Sequence, residues 1–238
     1  MKNIIVTGAR AGLGLAICKK LAGDGYRVIA VVRQAGMQTD ELAKIPQIEI
    51  EEFDLSAIDQ LHGWVASLTK RHGRIYGLVN NAAIGNDGVL ATMHETDIAK
   101  LLTVNLHSPI LLSKYVSRSM LLGGEGRIIN VSSIIASTGF NGLSVYGATK
   151  AGLVGFTKSL SRELGKANIT VNCVAPGYME TDMTKGIAEH KLESIKRRSP
   201  SGKLASVESV ADAVAFLLAP SAAMINGTTI TVDAGSTA

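Results

Sequence analysis

The residues that decide the fold are Thr7-Gly8-Ala9-Arg10-Ala11-Gly12-Leu13-Gly14. They follow a short apolar, β-branched run, Asn3 to Thr7, that reads as a buried strand. They precede an apolar stretch, 12–22, that reads as a helix. A strand, a glycine-rich turn and a helix N-terminus make an anion site, because the first N–H groups of the helix lack partners and its dipole is positive there. Glycine lets such a turn close and lets backbone approach a pyrophosphate with no Cβ between them. The spacing is G-x-x-x-G-x-G rather than the more common G-x-G-x-x-G. Its place directly after the first strand carries the dinucleotide reading. Gly8, Arg10, Gly12, Leu13 and Gly14 are the cofactor residues expected here.

Outward from this turn the chain alternates. Strand-like runs at Arg27 to Val32, Ile48 to Phe53, Ile75 to Val79, Arg127 to Ser132, Ile169 to Ala175 and Thr228 to Val232 are separated by helical patterns at 57–71, 96–121, 144–164 and 206–218. Within 57–71, Ile58, Leu61, Val65 and Leu68 recur at the spacing of one helix face. Ile48 to Phe53 alternates apolar and acidic residues, the pattern of a half-exposed strand. The sum predicts an α/β fold: a doubly wound, Rossmann-type domain with a seven-stranded parallel sheet flanked by helices on both faces. Neither a Pro- or Ser-rich linker nor a fixed-period repeat divides the chain, so residues 1–238 are expected to form one domain. The least regular stretch, 176–203, holds two of the five prolines and the cluster Lys196-Arg197-Arg198. Its part from about 178 to 203 is the expected substrate segment.

Composition sets the outer limits. With 46% hydrophobic and 18% charged residues, the chain is not disordered. Two cysteines, Cys18 and Cys173, cannot staple a disulfide scaffold and are expected as buried thiols. The formal charge of +4 fits an ordinary surface, and the one dense basic cluster is too short for a nucleic-acid stripe, so no nucleic-acid partner is expected. No apolar run reaches the ~18 residues of a membrane helix, and the N-terminus does not read as a signal peptide. No membrane partner and a cytoplasmic location are therefore expected. The five histidines, at 62, 72, 94, 107 and 190, are scattered, with no H-E-x-x-H or C-x-x-C. They read as polar residues on helix faces, and no metal is expected.

Two further places supply chemistry. The second strand ends Val31-Val32-Arg33, where NAD-binding folds carry an acid for the ribose 2′-hydroxyl and NADP-binding folds an arginine for the 2′-phosphate. Arg33, with Arg10 as a second cation, predicts NADP(H) in preference to NAD(H). Tyr146 and Lys150 lie four apart on the 144–164 helix and share a face. An ammonium beside a phenol lowers the phenol's pKa from about 10 toward working pH, as a general acid for a carbonyl requires. Ser133 follows the preceding strand, whose end shares the ligand-binding edge of a parallel sheet with the start of the next helix.

Together these pieces resemble the short-chain dehydrogenase/reductases over essentially the whole chain. The matching text is Thr7-Gly8-x-x-x-Gly12-x-Gly14, Asp54-Leu55, Asn80-Asn81-Ala82-Ala83, Asn105, Ser133, Tyr146-x-x-x-Lys150, Pro176-Gly177 and Thr181. The resemblance implies seven parallel strands and a homotetramer. It implies that Tyr146 is the acid/base, that Lys150 tunes it and binds the nicotinamide ribose, that Ser133 hydrogen-bonds the substrate carbonyl, and that Asn105 holds a water in a proton relay. It places Asp54 and Leu55 beside the adenine, Asn81 and Ala82 beside the adenosine ribose, and Pro176, Gly177, Met179 and Thr181 at the nicotinamide end.

Within that family the text is most similar to the 3-oxoacyl-[acyl-carrier-protein] reductases, through Gly126 to Val131, Tyr146 to Gly152, Thr170 to Asn172, Ala175 to Gly177 and Glu180 to Met183. This implies NADPH-dependent reduction of a 3-oxoacyl thioester to the secondary alcohol, with an acyl carrier protein as a partner. The carrier-docking arginines of that group correspond here to Gly124 and Ala167, with Lys166 adjacent. Two alternatives stay open. One is an NADP-dependent alcohol, sugar or steroid dehydrogenase of the same family. The other is a non-catalytic dinucleotide sensor, against which the intact Ser133, Tyr146 and Lys150 speak.

Overall fold

Side chains alternate across a strand, so a strand covered on both faces must be apolar at every position. β1 (Asn3–Thr7) meets this demand: Ile4 and Val6 enter one core cluster and Ile5 the other. In the computed structural model, which describes residues 1–86, 88–179 and 189–238, six more strands follow. They are β2 (Arg27–Val32), β3 (Ile48–Glu52), β4 (Ile75–Asn80), β5 (Gly126–Val131), β6 (Ile169–Pro176) and β7 (Thr229–Val232). All pair in parallel, in the order β3-β2-β1-β4-β5-β6-β7. The order reverses between β1 and β4, which opens a crevice at the carboxyl ends of those strands.

Two helical layers cover the sheet. On one face α1 (Gly12–Gly23) and α9 (Val207–Leu218) bury Ile17, Leu21, Val214 and Leu218 against Val28, Ala30 and Val79. On the other, α3 (Leu61–His72) and α5 (Ser108–Gly123) bury Val65, Leu68, Leu112 and Val116 against Ile29, Leu78 and Ile128. α7 (Ser144–Leu164) belongs to the same side and packs on β6. No helix among the described residues is long and apolar enough to cross a membrane.

The expected elements are present with shifted ends and four differences. The helical pattern at 96–121 is two helices, α4 (Glu95–Leu102) and α5, joined by a π-helical turn at Thr103–His107. Asn105 sits in that turn, fully buried, and both its amide atoms are engaged by backbone outside the helix. Short helices α2 (Met37–Ala43) and α6 (Ile135–Thr138) form where no period was legible, because a helix of one or two turns carries too few apolar repeats. α8 (Glu189–Arg198) lies inside the stretch read as least regular. His72, read from the sequence as a polar residue on a helix face, is buried, with Nδ1 and Nε2 each 3.5 Å from a carboxylate, of Glu49 and Glu51 respectively. Those two carboxylates are already paired with Arg27 and Arg71. Cys18 and Cys173 are buried, and burial pushes both thiols up. Trp64 packs stacked 4.2 Å from Phe53.

Candidate active site

The turn after β1 is built for close approach. Gly8 and Gly12 have φ of +67° and +53°, the left-handed region that favours glycine. A Cβ on Gly14 would lie 2.1 Å from the Gly8 carbonyl oxygen. Thr7 and Asn81 stitch this turn to the end of β4. The Thr7 hydroxyl accepts the N–H groups of Asn81 and Ala82, and Asn81 Nδ2 donates to the carbonyls of Thr7 and Gly8. Asn81 thus braces the turn through its amide nitrogen. Above it α1 begins at Ala11 with no side-chain cap and no acid in its first turn. The N–H groups and the positive end of the dipole face the crevice with no side-chain cap and no first-turn acid, which fits a pyrophosphate. Leu13 is buried in the core beneath the turn and fixes the helix start.

The end of β2 is joined to the same turn, since the Ala9 N–H donates to the Val31 carbonyl at 3.1 Å. Arg10 and Arg33 therefore leave the backbone at neighbouring points, and both are exposed. Asp54, also exposed, has its carboxyl held below the usual range by hydrogen bonds from the N–H and hydroxyl of Ser56, with Arg33 adding a smaller attraction. Leu55 beside it is half-buried against the core.

The start of α7 is riveted to the end of β5. The Lys150 ammonium donates to the Val131 carbonyl at 2.8 Å, and the Ser132 hydroxyl donates to the Lys150 carbonyl at 2.9 Å. Ser133 is next in the chain, half-buried, its oxygen accepting the Ile135 N–H at the start of α6. One helical turn before Lys150, Tyr146 presents its ring 5.6 Å from the ammonium. Burial lowers the Lys150 pKa to about 8. Beneath this pair runs a buried polar chain: Asn80 donates to Asn130 at 2.8 Å and Asn130 donates to Thr157 at 2.8 Å, tying β4, β5 and α7 together. Ser132, Asn130 and Thr157 are given no site role by the sequence, and Thr7 appears there only as the first residue of the turn motif. For Ser132 and Asn130 the one legible signal is a polar residue inside or just after an otherwise apolar strand; Thr157, within α7, carries none.

Asn105 reaches the site from the π-helical turn. Its amide donates to and accepts from the backbone of Ile84, both at 2.9 Å, and so holds the loop after β4. The π-helical turn also packs Leu106 against α7, where a Cβ on Gly152 would come within 3.1 Å of it. Pro176 ends β6 and accepts the Ile134 N–H at 3.0 Å, and the Gly177 N–H donates to Val232 at 2.9 Å. A Cβ on Gly177 would strike Asp233 at 2.7 Å. Met179 packs at the core margin on this edge. Thr181, expected at the nicotinamide end, lies outside the described residues. The loop, the Arg10 and Arg33 pair, and the Ser133, Tyr146 and Lys150 group all fall at the carboxyl ends of the strands, where an open α/β sheet binds its ligands.

A parallel seven-stranded sheet with this turn and this tyrosine–lysine pair defines a nicotinamide-dependent oxidoreductase acting on C=O or CH–OH groups; the chain belongs to the short-chain dehydrogenase/reductase family. A family model described as Enoyl-(Acyl carrier protein) reductase matches residues 8–237. Among curated proteins, the chain is 37% identical to the 3-oxoacyl-[acyl-carrier-protein] reductase FabG of Vibrio cholerae and 38% identical to FabG of Escherichia coli K12, covering 98% of this chain and 96% of each relative. It is 34% identical to the 3-oxoacyl-[acyl-carrier-protein] reductase MabA of Mycobacterium tuberculosis, over 98% of this chain and 92% of that one.

Proposed function

We propose that the chain is an NADPH-dependent reductase that converts a 3-oxoacyl thioester to the 3-hydroxyacyl product. The observation that most supports this is the buried Lys150 ammonium held one turn from Tyr146, with Ser133 on the adjoining strand end. Ser133 and Tyr146 each donate a hydrogen bond to the ketone oxygen, where negative charge develops. When bound, the nicotinamide supplies the hydride for the ketone carbon. Tyr146 gives its proton to the oxygen, and the Lys150 ammonium, charged at neutral pH with a pKa of about 8, stabilises the phenolate left behind. Lys150 also holds the nicotinamide ribose. Asn105, whose side-chain amide also braces Ile84, holds the water of a proton relay.

Gly8, Gly12, Leu13 and Gly14 form the pyrophosphate cradle. Arg10 and Arg33 take the 2′-phosphate and set the preference for NADPH over NADH. Asp54 and Leu55 flank the adenine, Asn81 and Ala82 the ribose, and Pro176, Gly177, Met179 and Thr181 the nicotinamide. The working form is a cytoplasmic homotetramer of one-domain subunits. The names of the relatives supply the acyl carrier protein as the bearer of the substrate. Gly124 and Ala167 carry no charge, so docking is weaker than arginines there would make it.

The test is NADPH oxidation with an acetoacetyl thioester against a crotonyl thioester, since the matching family description names an enoyl substrate. Reduction of the ketone is expected, and Tyr146→Phe should lower it by roughly 100-fold or more. Reduction of the enoyl thioester alone would overturn the reading.

A further inference from the structure

We infer that Phe140, backed by Tyr178, is a specificity-determining residue: it forms an apolar lip that receives the hydrocarbon chain beyond the reacting ketone. The inference rests on the ketoreductase reading above and names the substrate feature that this site selects. Phe140 lies between Ser133 and Tyr146 in the chain, in a turn closed by the Leu143 N–H donating to the Phe140 carbonyl at 3.1 Å. Gly139 and Gly142, with φ of +69° and +79°, flank it, so the turn is tight and projects the ring outward.

The ring is 50% exposed, and it meets Tyr178 edge-on at 6.2 Å. Tyr178 follows Gly177, so this contact joins the turn beside Ser133 to the loop after β6. The same turn is tied to the loop after β4, where the Gly88 N–H donates to the Gly142 carbonyl at 2.9 Å. The next two residues of that loop, Val89 and Leu90, are 60% and 55% exposed. Two hydrogen-bonded loops on the edge that holds Ser133 and Tyr146 thus leave three large apolar side chains facing water.

The two stretches that carry Phe140, Val89 and Leu90 are uncharged. Residues 88–93 and 134–145 contain no Asp, Glu, Lys or Arg. The cofactor end of the same edge carries Arg10 and Arg33. A hydrocarbon chain laid on Phe140, Val89 and Leu90 removes apolar surface from water on both sides, a gain that a phosphate or a sugar does not offer. The occupant is therefore an apolar chain attached to the carbon next to the ketone.

The experiment measures kcat/KM for 3-oxoacyl thioesters of N-acetylcysteamine with four-carbon and twelve-carbon chains, using wild type, Phe140→Ala and Phe140→Leu. A parallel series uses 2-butanone and 2-decanone. The long-to-short ratio should fall about tenfold in Phe140→Ala and recover most of its value in Phe140→Leu, since burying one ring face against several methylenes is worth that much. A ratio within twofold of wild type in Phe140→Ala overturns the inference. So does an equal loss on both chain lengths, or a change in oligomer mass without a change in the ratio. If wild type reduces ketones but no thioester, the 3-oxoacyl reading fails, while the ketone series still decides the role of Phe140.

Discussion

Burying the Lys150 ammonium brings its pKa from the ordinary 10.5 to about 8. Between those values the unfolded chain holds a proton that the folded one has released, so this group's contribution to stability rises with pH across that window. Below about pH 8 the folded protein bears the full cost of a buried charge, about 3 kcal/mol on this shift. Lys150→Met should therefore raise the unfolding free energy at pH 7 by about 1–2 kcal/mol, after the lost bond to the Val131 carbonyl is subtracted, and should abolish ketone reduction. Urea denaturation and an NADPH-consumption assay check the two halves. In wild type the rate of reduction should fall as pH rises through about 8, when Lys150 loses its charge. Arg33→Ala should lower the NADPH-to-NADH ratio of kcat/KM by about tenfold or more, read with both cofactors on one substrate. At this scale the sequence was informative about residue type and silent about distance. It could ask for a glycine at position 14, but only the folded turn shows that the clash would be with the Gly8 carbonyl.

The π-helical turn at Thr103–His107 divides what reads as one helix into α4 and α5. The apolar pattern through 96–121 continues across it, so the break is invisible to periodicity, and the one local hint was Asn105, a poor residue for a helix interior. What makes the break is tertiary: the Asn105 amide satisfies both the N–H and the carbonyl of Ile84. Asn105→Leu should leave both groups unpaired and cost about 2–4 kcal/mol by chemical denaturation, with an added loss of activity as the loop after β4 detaches. A second element-scale device closes the segment before α9. The Ser199 hydroxyl donates at 2.6 Å to the carbonyl of Ala234, a non-glycine residue at φ +58°. Ser199→Ala should cost about 1 kcal/mol of stability, seen as a lower melting temperature. Neither contact was legible in advance, because each joins residues far apart in the chain.

At the scale of the molecule, β7 and β3 are the sheet's two edges, and β7 is only partly buried. An exposed edge strand is a surface that assembly tends to cover. Light scattering should give a mass of about 100 kDa, four chains of 24.9 kDa, if the proposed tetramer forms, and a monomeric mass would reject it. The α/β class, the parallel sheet and the places of Gly8, Arg33, Ser133, Tyr146 and Lys150 were determined by sequence alone. Strand and helix periods and glycine's backbone freedom are local properties that the chain carries before it folds. The tertiary structure alone decided the rivet of Lys150 to Val131, the polar chain Asn80–Asn130–Thr157, the break at Asn105, the burial of His72 between Glu49 and Glu51, and the meeting of Phe140 with Tyr178. Each of these brings together groups from separate elements. Their partners are set by the strand order and by how the helices pack on it, which no window of sequence contains.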